Sequence, residues 1–131
     1  MIIKVQKDAQ KARMLVEMAR ITLERLKEID SEKYPSNTLT DYYDIIHKLM
    51  EALTLSEGIK AKGEGAHQEL IEYICKIYNL GESTRIFLQD MREYRNRIAY
   101  EGFMINKDYI NSNKKRVQEI ISSLLKLIKI R

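Results

Sequence analysis

The chain reads as one all-helical domain, because apolar residues recur at steps of three and four along it and no stretch alternates in the manner of a strand. Helix breakers are also scarce: 131 residues include one Pro and five Gly. A length of 131 residues with 44% hydrophobic content supports one continuous core, so a single domain spanning residues 1–131 is expected. Five helices in an up-and-down bundle is the predicted architecture.

The first helix is predicted from Lys4 to about Asp30. There Val5, Ala9, Ala12, Val16, Ala19, Leu23 and Leu26 form one stripe, and Met14, Leu15, Met18 and Ile21 widen it enough to meet several neighbours. A turn at Lys33-Tyr34-Pro35-Ser36-Asn37 follows, and Thr38 with Asp41 three positions later resembles a capping box that starts a second helix. Its apolar arc of Leu39, Tyr42, Tyr43, Ile46, Leu49, Met50 and Leu53 is too broad for a surface helix, and Gly58 should stop it. After Gly63-Glu64-Gly65 a third helix is expected from Ala66 to Leu80, with Leu70, Ile71, Ile74, Ile77 and Tyr78 apolar. Ser83 can cap a fourth, whose inward row is Phe87, Met91, Tyr94 and Ile98 and whose opposite arc is Arg85, Gln89, Arg92 and Asn96, ending at Gly102. A fifth, from about Asn106, gathers Val117, Ile120, Ile121, Leu124, Leu125 and Ile128 on one face.

Twenty-three Lys and Arg against 19 Asp and Glu give a net charge of +4, which permits an anionic partner without requiring one. The single Cys75 cannot form an internal disulfide, which suits a reducing compartment. The opening MIIKVQKDAQ lacks a signal-peptide core, and no apolar run nears the roughly 20 residues that span a bilayer. A cytoplasmic protein with no membrane partner is expected.

The segment MREYRNRIAYEGF, Met91 to Phe103, resembles the HEPN family of small nucleotide-binding helical bundles, whose motif is Arg, a polar residue, a spacer and His. Arg95 and Asn96 match its first positions, and Tyr100 stands where the His belongs. DYYDIIHKLMEAL resembles the family's aromatic-rich second helix, and GEGAHQELIEY the loop and helix that follow, so the likeness covers most of the chain. It implies a homodimer whose motif helices face each other across a cleft that binds RNA or nucleotides and, in many members, cuts RNA without a metal. Arg95 and Tyr100 are then the catalytic candidates, and Arg92, Arg95, Asn96, Arg97 and Tyr100 the phosphate-binding ones. A partner nucleotidyltransferase chain is a further implied partner, in a toxin-antitoxin or defence pair, although the position where some members accept a nucleotide on Tyr is Gly102 here.

A phenol of pKa near 10 is ionised in only about one Tyr in a thousand at pH 7, so Tyr100 is a poor proton acceptor and ribonuclease activity should be weak or absent. On an uninterrupted helix, positions 95 and 100 lie about 140° apart, whereas Arg92, Asn96 and Tyr100 form a tighter stripe. His47, with Glu51 one turn later, could act as a ligand or base, but a lone His is more often structural, and His67 sits at a polar helix start. Neither a metal nor any other cofactor is expected. Lys107, Lys114, Lys115 and Arg116, with Lys126, Lys129 and Arg131, could track phosphates, though such charges are usually solvated.

Overall fold

The computed structural model describes residues 1–130, without the side chain of Ile130; Arg131 of the basic tail lies outside the described residues. Five helices form the bundle: α1 (Ala9–Lys27), α2 (Pro35–Glu57), α3 (Ala66–Ile77), α4 (Glu82–Tyr100) and α5 (Lys107–Ile130). Two strands that the sequence does not announce accompany them, β1 (Ile2–Lys4) and β2 (Ile59–Ala61), paired antiparallel with Ile3 opposite Lys60. Three residues are too few to display a period of two, and the pairing joins segments more than fifty residues apart, so local pattern cannot reveal it.

This pairing also corrects the first helix. Lys4 belongs to β1, and the Val5 N–H continues the ladder to the Gly58 carbonyl at 2.8 Å. The helix begins only where Asp8 caps it, the carboxylate accepting from the Lys11 N–H at 2.9 Å. In α2, Pro35 takes the first helical position, where its missing N–H costs nothing and its fixed φ suits the helix. Thr38 is therefore one turn inside and no cap; its buried hydroxyl donates to the Ser31 carbonyl at 2.9 Å. Gly58 does stop α2, in the left-handed conformation at φ 77°.

Helix α3 ends at Ile77, three residues before the expected Leu80. Asn79 turns left-handed at φ 58° and the Leu80 N–H reaches back to the Cys75 carbonyl at 3.0 Å, a Schellman closure. Ile77 is consequently exposed instead of inward. Helix α4 starts at Glu82 behind Gly81, so Ser83 is not its cap; Ser83 instead accepts from the Arg116 guanidinium of α5 at 2.5 Å. Asn106 caps α5 through its side-chain oxygen, which accepts from the Asp108 N–H at 2.9 Å.

The core is built around α2, whose Leu39, Tyr43, Ile46, Leu49, Met50 and Leu53 are all essentially inaccessible. Helices α1, α3, α4 and α5 each approach it, and α3 also lies along α4. Ala19 seats α1 against α2, while Met14, Met18 and Ile21 remain 57, 49 and 60% exposed. The apolar face of α1 is thus narrower than its sequence suggests, because α2 is its close helical neighbour. Among the described residues no helix is long and apolar enough to cross a membrane.

Gly58 is where the bundle and the strand pair meet. A Cβ there would lie 2.8 Å from the Val5 carbonyl oxygen, besides being strained by the positive φ. Gly58→Ala should cost about 1–3 kcal/mol, comparable to other strained backbone sites. Urea unfolding is expected to show a lower midpoint with unchanged slope.

Candidate nucleic-acid interface

The polar side of α4 faces the loop and first turn of α3, and between them is a cavity of about 270 Å³. Gly63, His67, Arg92, Arg95, Asn96 and Tyr100 line it, so four of the five phosphate-binding candidates come together. Arg95 and Tyr100 share this cavity on an unbroken helix, their long side chains bridging the angle between them. Arg97 does not join them: it is exposed and its guanidinium lies over the Phe103 ring at 4.0 Å. Tyr100 is 78% exposed, at the rim.

The two arginines are held rather than splayed into water. Arg92 and Arg95 side chains are only 18 and 26% exposed. Arg92 donates to the Gln89 side-chain oxygen at 2.8 Å, and Gln89 in turn donates to the Gln68 carbonyl at 3.0 Å, tying α4 to the start of α3. Each arginine has a loose carboxylate neighbour, Glu93 at 3.9 Å from Arg92 and Asp44 at 4.0 Å from Arg95. The Nε of Arg95 is buried without a hydrogen-bond partner. That Nε faces the Asp44 carboxylate, while Nη1 of the same guanidinium donates to the Asn96 side-chain oxygen at 3.4 Å.

His67 also lines a second cavity, of about 240 Å³, together with His47, Glu51, Lys11 and Lys60. The sequence treats the two histidines as unrelated, yet their rings stack with centroids 3.9 Å apart. His47 Nδ1 meets the Glu51 carboxylate at 2.9 Å, and His67 Nδ1 meets the Tyr43 hydroxyl at 3.2 Å. The hydrogen bond from His47 holds the Glu51 carboxyl below its ordinary range. Burial, then the neighbouring His47 and Arg95, lower His67 below the usual imidazole value of 6.5. Burial also pushes the Tyr43 phenol well above 10, so it remains a hydroxyl. The His47-Glu51 spacing was the one local signal of this cluster; the partnership with His67 arises from the packing of α3 on α2.

A larger groove of about 400 Å³ beside Ala12, Val16, Ala52 and Ile128 is mostly apolar and brings few polar groups together, so it has less to recommend it as a site. Cys75 is buried and its thiol is pushed up to about 11 by desolvation, the ordinary state of a core cysteine. Among the described residues no group of three or more His, Cys, Asp or Glu is arranged to hold a metal ion. Comparison of the chain with protein-family models, curated proteins and solved structures finds no match.

Two measurements follow from these environments. The His67 ring, followed by NMR, should titrate with a midpoint below 6.5, and Arg95→Ala should move it upward by removing a nearby positive charge. A midpoint above 6.5 would contradict the packing described for α3. Cys75 should react with a thiol reagent at pH 8 at least tenfold more slowly in the native chain than in urea, because little thiolate forms and access requires opening of the core.

Proposed function

We propose that the chain binds RNA or nucleotide phosphate in the cavity between α4 and α3, with Arg92, Arg95 and Asn96 as the phosphate-facing set and Tyr100 at the rim. The observation that carries this reading is the pair of largely buried arginines that line one cavity, their carboxylate neighbours no nearer than 3.9 and 4.0 Å. Arg suits the role because its planar fork meets two phosphate oxygens at once. The first residues of α3, Ala66, His67 and Gln68, line the same cavity, and a helix N-terminus favours negative charge. Tyr100 can stack on a base from its exposed position.

The likeness of the α4 segment to HEPN domains supports the same reading and extends it to a two-fold dimer with α4 at its seam. The exposed Tyr100 and Met104, each 78% accessible, give that end of α4 apolar surface to cover. Light scattering at micromolar concentration should then report twice the monomer mass, and a monomer would confine the site to one chain.

Binding is tested by fluorescence titration with a short single-stranded RNA. The logarithm of affinity should fall linearly with the logarithm of salt, by roughly 0.7 for each phosphate neutralised. Arg95→Ala should weaken binding about tenfold to a hundredfold, since a hydrogen bond to a charged group is worth about 1.5–3 kcal/mol. Arg97→Ala, away from the cavity, should change little. Affinity indifferent to both salt and Arg95→Ala would remove α4 from the function.

A further inference from the structure

The arginine cavity has a neighbour whose chemistry the phosphate-binding reading leaves unused. His67 lines both cavities, so the stacked histidines stand between the arginines on one side and Lys11 and Lys60 on the other. Cations on both sides of the pair suit a polynucleotide with successive phosphates better than a single phosphate ion.

The hydrogen-bond partners give the two rings different tautomers. Glu51 has only acceptors to offer, so His47 must present Nδ1–H to it, which leaves Nε2 with a free lone pair when the ring is neutral. That is the arrangement in which a carboxylate orients a histidine as a base. Tyr43 is 1% exposed and its hydroxyl has His67 Nδ1 as its partner. A buried phenol hydrogen needs an acceptor, so Nδ1 accepts it and neutral His67 carries its proton on Nε2. One ring therefore offers an acceptor and its stacked neighbour offers a donor.

We propose that His47 is the general base, and His67 a phosphate-directed hydrogen-bond donor, for cleavage of RNA bound along the two cavities. The proposal rests on the phosphate-binding reading and assigns its substrate class: a phosphodiester with an adjacent 2′-hydroxyl, which a base beside an anion clamp can activate. His47 Nε2 takes the 2′-hydroxyl proton, O2′ bonds to phosphorus, and the P–O5′ bond breaks to leave a 2′,3′-cyclic phosphate. The departing O5′ takes a proton from water, and the His47 imidazolium returns its proton to the hydroxide so formed, so the step consumes no net proton. His67 Nε2–H and the two guanidiniums stabilise the charge gathering on the phosphoryl oxygens. Glu51 and Tyr43 are positioning residues that hold the two tautomers. This places proton transfer on α2, with support from α3, whereas the sequence pattern places it on Tyr100.

The experiment uses the full chain and a fluorescent single-stranded RNA, with chelator present, and follows binding and cleavage separately. The unmodified protein should leave 2′,3′-cyclic phosphate ends, and an RNA with every 2′-hydroxyl methylated should be bound and left intact. His47→Ala should slow cleavage about 10²- to 10⁴-fold with binding retained, the range general-base help supplies. Added imidazole should restore part of the rate to His47→Ala, which loss of folding could not explain. Glu51→Gln should slow cleavage without weakening binding, since it removes a negative charge from the cavity. RNA that binds and is never cut overturns the catalytic assignment and leaves the phosphate-binding reading standing, whereas absence of binding removes both. Cleavage that persists in His47→Ala but is abolished by Tyr100→Phe returns the chemistry to α4 and refutes the assignment to His47.

Discussion

Everything in this fold depends on α2 being surrounded. A helix whose apolar residues occupy most of its circumference cannot lie on a surface, because about 25 cal/mol is lost for each Å² of apolar area left in water. Helices α1, α3, α4 and α5 all approach it, and the order of the bundle follows from that demand. Polar residues of α2 that enter the core are short, as with the buried Thr38 and Thr54, and its charged residues lie at the edges of that core. Tyr43, Asp44, His47 and Glu51 fall within little more than two turns, and Tyr43, Asp44 and His47 meet side chains of α3 or α4. The candidate site is thus the place where the central helix stops being purely structural.

The electrostatics of that sector are asymmetric. Two guanidiniums are half-buried at the edge of the core, each near a carboxylate yet too far for a tight pair. Each also donates to a neutral side chain, Arg92 to Gln89 and Arg95 to Asn96, so their charge is only loosely offset by Glu93 and Asp44. The same positive field, together with burial, favours a neutral His67. A negative charge placed in this sector would ease protonation of that imidazole, because it would offset the field that now opposes it.

Helix content and number were legible from periodicity, since α1 to α5 each carry a stripe several turns long. What escaped was information that exists only between distant segments. The Ile2–Lys4 and Ile59–Ala61 strands are individually too short to read, and the first helix was overextended because Val5 fits the helical stripe by coincidence. Thr38 looked like a cap because its spacing to Asp41 is right, but Pro35 had already begun the helix. Of the cavity-lining residues of α4, Arg92, Asn96 and Tyr100 were legible as one stripe, whereas Arg95 entered through the motif likeness and Arg97 by adjacency in sequence. His67 was noted only as a residue at a polar helix start, because its stacking on the ring 20 positions earlier exists only in the packed structure.

Helix α4 is fastened near both ends by guanidiniums lying on aromatic rings, Arg116 over Phe87 at 4.5 Å and Arg97 over Phe103 at 4.0 Å. Between those points Leu88 and Met91 are packed in the core and the Gln89 side chain donates to the Gln68 carbonyl. Ring-face contacts of weakly hydrated cations, and apolar burial still more, resist salt better than exposed ion pairs do. The helix should therefore keep its place in brines that would strip a polyanion from it. A molar-salt wash can accordingly be applied and reversed in dilute buffer without displacing α4.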